Sequence, residues 1–125
     1  MELNRISGEI VSAAIKVHSA LGPGLLESAY HACLAHELRS RGLHVQSHVP
    51  LPIVYGKITL NVGYRMDMLV EHAVIVELKA VTKLHPVHEA QLLSYLKLSK
   101  HKLGLLLNFH ELHMKDGIKR MVNRM

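Results

Sequence analysis

Leu3, Ile6, Ile10, Ala13, Val17 and Leu21 recur at helical spacing, which predicts a first helix over roughly residues 3–20. Gly22-Pro23-Gly24 stops it. Leu26, Ala29, Tyr30, Cys33, Leu34 and Leu38 form a second apolar face, ending near Gly42. The period then drops to two. Leu43, Val45, Val49, Leu51 and Ile53 alternate with His44, Gln46, His48, Pro50 and Pro52, a half-buried strand whose prolines put its later part at a sheet edge. A turn at Tyr55-Gly56-Lys57 leads to a strand carrying Ile58, Leu60 and Val62, and Gly63 predicts a bulge or bend. Tyr64 to Val70 and Ala73 to Val81 read as two further strands joined at Glu71-His72. The second is apolar at nearly every residue, the mark of a central strand covered on both faces.

Pro86 suits the first turn of a third helix, which runs to about Lys100 on Val87, Ala90, Leu92, Leu93, Leu96 and Leu98. Leu103 to Phe109 is another buried strand, and Asp116-Gly117 signals a hairpin between Leu112–Lys115 and Ile118–Val122. The order ααβββ(β)αββ predicts an α/β (α+β) fold, a mixed central sheet flanked by helices. No repeat or linker interrupts it, so residues 1–125 are expected to be one domain.

Composition narrows the function classes. No apolar run is long enough to span a bilayer. Glu2 and Glu9 in the first fourteen residues do not suit a signal peptide, so a cytoplasmic location is expected. The single cysteine, Cys33, can form no internal disulfide, suits a reducing compartment, and is expected as a small buried apolar residue. A net charge of +5 favours anionic partners such as nucleic acid, without any run of like charge.

The chemistry is concentrated on the two central strands. Asp67 lies in the first, Glu77 and Lys79 in the second. Glu77 and Lys79 are two apart and share a face. Burying them in an apolar strand is costly unless they are paired or bind a metal. One reading is a structural salt bridge between Lys79 and Asp67 or Glu77. The other is a site. Two neighbouring carboxylates repel unless a cation lies between them, hard oxygen donors suit Mg²⁺ or Mn²⁺, and a lysine beside them can orient or deprotonate a water and balance charge on a phosphate. Register is the condition. If residues 71 and 72 alone make the loop, Asp67 falls opposite Val76 and faces away from Glu77. A shared site requires a three-residue loop, a bulge, or distorted pairing at Asp67. Gln91 and Tyr95, four apart on the third helix, share one face and either support such a site or serve structure alone, Tyr95 packing with its hydroxyl reaching solvent and Gln91 at the surface. His85 with His88, and His110 with His113, have no third zinc ligand at matching spacing and are expected to be solvated.

Asp67-(x9)-Glu77-Leu78-Lys79, followed by Gln91-(x3)-Tyr95, resembles the PD-(D/E)xK nuclease superfamily. More narrowly, Gly24-Leu25-Leu26-Glu27-Ser28-Ala29-Tyr30 is similar to the motif of the small prokaryotic GxxExxY family. The resemblance implies a restriction-endonuclease-like core and a Mg²⁺- or Mn²⁺-dependent nuclease acting on DNA or RNA. It implies Glu27, Asp67 and Glu77 as metal ligands with help from the Leu78 carbonyl, Lys79 acting on the attacking water, and Gln91 and Tyr95 lying along the site. Met66 stands where the superfamily's name has a proline. Glu27 also has a reading independent of function, since the helix dipole favours an acid in a first turn. The rival function is a nuclease-fold module that binds nucleic acid or a partner with little or no cleavage. A chain of this size is also suited to pairing as a homodimer across a duplex.

Overall fold

The computed structural model describes residues 1–124. Three helices, α1 (Leu3–Leu21), α2 (Glu27–Ser40) and α3 (Pro86–Ser99), flank a five-stranded mixed sheet in the order β1-β4-β5-β6-β7. Its strands are β1 (Val45–Pro50), β4 (Arg65–Val70), β5 (Val74–Lys79), β6 (Leu103–Asn108) and β7 (Ile118–Val122). Only β5 and β6 pair in parallel, with α3 as their crossover; every other pair in the sheet is antiparallel. This is the mixed, helix-flanked sheet that the hydrophobic pattern predicts.

Alternation divides the buried side chains between two layers. Met68, Val70, Val74, Val76, Leu78, Leu103, Leu105 and Leu107 pack beneath α1 and α2 against Ile6, Ile10, Val17, Leu34 and Leu38. Leu69, Ile75 and Leu106 face the other way, against Leu92, Tyr95 and Leu96 of α3. Each large apolar side chain so buried contributes about 1.5–3 kcal/mol relative to exposure. Gly104 on β6 seats α3: a Cβ there would meet Leu92 Cδ1 at 2.9 Å, so the missing side chain sets how closely the helix approaches.

Three expectations need correction. The long alternating stretch from Leu43 to Ile53 is two strands. β1 ends at Pro50, and Ile53–Tyr55 (β2) leaves the sheet to pair with Ile58–Leu60 (β3) as a separate hairpin. Pro50 and Pro52 cannot donate to a ladder, so the chain breaks between them. Asp116-Gly117 makes no hairpin. Met114–Gly117 is a short 3-10 helix, and β7 pairs with β6 instead. Cys33 is exposed. The buried stripe of α2 runs through Tyr30, Leu34, Ala35 and Leu38, which turns Cys33 outward. Among the described residues, no helix is long and apolar enough to cross a membrane.

Candidate active site

The site begins with a loop length. Val70 pairs with Val74, so Glu71-His72-Ala73 is a three-residue connection. Glu71 and His72 both take left-handed backbone, φ 54° and 53°, and Glu71 is anchored by exchanging hydrogen bonds with His44: its amide donates to the His44 carbonyl, and its Oε2 accepts from the His44 amide at 2.7 Å. An odd loop restores the parity that a two-residue loop would break. Asp67 therefore falls in line with Leu69, and Glu77 with Ile75, on the α3 face of the sheet.

The β4–β5 ladder stops at Met68 and Val76, although β4 continues along β1 to Arg65 and β5 along β6 to Lys79. Side chains occupy the gap. The Asp67 amide donates to Glu77 Oε2 at 3.0 Å, and the Leu78 amide donates to Asp67 Oδ2 at 2.9 Å. Each carboxylate thus satisfies backbone left unpaired by the parting strands. Glu77 is 5% exposed. Burial first, and then the adjoining Asp67 carboxyl, push its pKa up to about 9. Metal-free, this pair holds a proton where a cation could sit.

Glu27, exposed at the start of α2, approaches Asp67 from the other helical layer. It opens α2 and lines a cleft of about 290 Å³ with Ser28, His31, Ala32, His48 and Asp67. Burial and the Asp67 charge raise its pKa, while Lys79 opposes them. Tyr30 fixes this approach. Its ring is fully buried and stacks on Phe109 with centroids 4.6 Å apart. Its hydroxyl donates to the Gly22 carbonyl and accepts from the Leu25 amide at 2.9 Å. The loop into α2 is thereby tied to the core three residues from Glu27. Gly22, at φ 75°, makes the turn that a side chain would strain.

Lys79 stands on the Glu77 face and is partly exposed. Among the described residues it forms no ion pair, so the structural salt bridge with Asp67 or Glu77 is absent. Tyr95 lies beneath, its pKa raised by burial first and then by Glu77 and Asp67. Gln91 lines a neighbouring groove with Tyr95 and makes no hydrogen bond to either carboxylate. His85 and His88 cap α3, the His85 amide donating to His88 Nδ1 at 3.1 Å. His110 and His113 flank the loop after β6.

Three residues near the site went unread in the sequence. Buried Asn108 clamps the chain after Lys79: its Nδ2 donates to the Val81 carbonyl at 2.9 Å, and its Oδ1 accepts from the Val81 amide at 3.1 Å. His31 and His48 stack with centroids 4.6 Å apart beside Asp67. His48 occupies the register position across from Asp67 yet has φ 54° and drops out of the β1–β4 pairing. The only sequence signal for it is a polar residue at an alternating position, which ten other histidines dilute.

The donors fit a hard divalent cation. Asp67 and Glu77 present carboxylate oxygens side by side, and their mutual repulsion is what such a cation relieves. Among the described residues no group of three or more His, Cys, Asp or Glu side chains closes into a cage. A Mg²⁺-type site takes one or two carboxylates and completes its shell with water and substrate phosphate.

A family model described as the PD-(D/E)XK nuclease superfamily matches residues 4–121. No curated protein and no solved structure matches the chain. That match spans both helical layers and every strand of the sheet, and on it the chain belongs to the PD-(D/E)XK nuclease superfamily.

Proposed function

We propose that the chain is a nuclease that hydrolyses nucleic-acid phosphodiester bonds with Mg²⁺ or Mn²⁺, works as one domain in the cytoplasm, and falls within the GxxExxY family. Membership of the superfamily supports a nucleic-acid substrate and a divalent metal. The observation that carries the reading is the pair formed by Asp67 and Glu77, filling the opening between β4 and β5 with Lys79 on the same face. Asp67 and Glu77 hold the cation, joined by Glu27 from α2 and by the Leu78 carbonyl. The cation supplies Lewis-acid polarisation of the scissile phosphate. Among the described residues Lys79 has no carboxylate partner to neutralise it. It orients the attacking water, takes part in its deprotonation, and balances charge gathering on the phosphate. Tyr95 and Gln91 line the approach from α3.

Cleavage of a mixed DNA and RNA panel, single- and double-stranded, tests this. Wild type is expected to cut only with Mg²⁺ or Mn²⁺, and Lys79→Ala to lose about 10²–10⁴-fold in rate while remaining folded. A folded, metal-loaded wild type that binds the panel without cutting it would establish the binding module instead.

A further inference from the structure

The Gln91–Tyr95 face opens onto a second space. A groove of about 470 Å³ runs between the β2–β3 hairpin and α3, walled by Ile53, Tyr64 and Val87 and rimmed by Gln91, Ser94 and Tyr95. Among the described residues no lysine, arginine or acid lines it, so it is not built for phosphate. Tyr64 is 45% exposed and meets Tyr95 only edge-on, at 65° and 6.3 Å between centroids, leaving a ring face open. Tyr95 joins the two spaces: it lines the groove and packs against Leu69 and Ile75, on the sheet face that carries Asp67 and Glu77. The apolar groove therefore adjoins the face that bears the carboxylates.

We infer that this groove is a nucleobase subsite, taking an unpaired base next to the scissile phosphate. The base stacks on Tyr64 between Ile53 and Val87, and its polar edge meets the Gln91 amide and Ser94 hydroxyl. An aromatic ring with an apolar slot and a few amide or hydroxyl groups recognises bases pulled out of a stack. The phosphate on the same nucleotide then lies toward Asp67, Glu77 and Lys79. A base held in a duplex keeps its faces covered and cannot enter, so the preferred substrate is a single strand or an unpaired stretch. The inference rests on the nuclease reading and deepens it.

The test walks a single 2-aminopurine through short single-stranded oligonucleotides, DNA and RNA, mixed with the full chain in EDTA. An end label reports binding by anisotropy, and 2-aminopurine emission reports stacking. Emission is expected to fall at one or two positions with wild type and Tyr64→Phe, and at none with Tyr64→Ala. Affinity of Tyr64→Ala is expected to drop on the order of tenfold. Circular dichroism confirms that both variants fold. Binding with unchanged emission at every position, or quenching by Tyr64→Ala equal to wild type, overturns the subsite and leaves the nuclease reading standing. So does faster metal-dependent cleavage of perfect duplex than of unpaired strand. A wild type that neither binds nor cuts any strand overturns both.

Discussion

The Asp67 amide donates to the Glu77 carboxylate at 3.0 Å, and one strand over, the Asp67 carboxylate accepts from the Leu78 amide at 2.9 Å. Two acids thus replace a stretch of β-ladder. The burial of Glu77 makes the metal-free site sensitive to pH, with consequences for stability and for metal binding.

Glu77 has its folded pKa pushed up to about 9 from an ordinary 4.5. The folded state binds the proton more tightly than the unfolded state, so its contribution is full below pH 4.5 and is lost as pH rises through 9. The melting temperature of metal-free protein is expected to fall between pH 5 and 9, and Glu77→Gln to flatten that fall. Parallel curves for the two proteins would refute the assignment.

Divalent metal is expected to reverse the loss. Occupancy at a hundredfold excess over Kd adds about 2.7 kcal/mol of stability. Thermal melts at pH 8 with Mg²⁺ or Mn²⁺ should show an upward shift for wild type and little or none for Asp67→Asn. An equal shift in both would place the metal elsewhere.

Glu27 separates a helix-start charge from a site residue. Its place beside Asp67 leads us to expect that Glu27→Gln costs at most about 1 kcal/mol of stability but weakens Mn²⁺ binding and cleavage. Calorimetric titration with Mn²⁺ reads the first effect independently of activity. Unchanged affinity would return Glu27 to the helix dipole alone.

Tyr30→Phe removes the hydroxyl that joins the Gly22 carbonyl to the Leu25 amide. Leaving those groups unpaired should cost about 1–3 kcal/mol in urea denaturation. Because the same loop delivers Glu27, metal affinity should fall as well. A stability loss with intact affinity would mean that the loop tolerates slack.

Gly117→Ala brings a Cβ to 2.2 Å from the Asn108 carbonyl oxygen, a contact the backbone must move to avoid. A loss of about 1–3 kcal/mol is expected, with a drop in cleavage rate, since Asn108 fixes the chain that follows Lys79. Urea melts and single-turnover rates check the two parts separately.

The elements that a reader of the chain could see are those with a clean period. Ile6 to Leu21 and Leu34 to Leu38 announce helices, and Val74 to Leu78 a covered strand, because burial repeats at fixed intervals. The detached hairpin was hidden because Ile53 and Leu60 continue an alternation that β1 had already begun. Asp116-Gly117 carries the composition of a hairpin turn, yet Gly117 is there for its close approach to Asn108, a contact between segments that no local window contains. Asp67, Glu77 and Lys79 stood out as charges among apolar neighbours. Their convergence depended on one loop residue, Ala73, that looked like part of β5. Asn108 at a strand's end gives no local sign, and His48 gives only that of a polar residue at an alternating position, nothing of its left-handed backbone.

That loop of three has an evolutionary corollary. Deletion of His72 or Ala73, or insertion of one neutral residue between Val70 and Val74, would leave net charge and nearly all core residues untouched while turning Asp67 toward the opposite layer. Surface loops ordinarily tolerate reading-frame-preserving indels, and here one would erase the site in a single step. A lineage can therefore keep Asp67, Glu77 and Lys79 in its alignment and still have lost their meeting point, so loop length is the character to compare before activity is transferred between relatives.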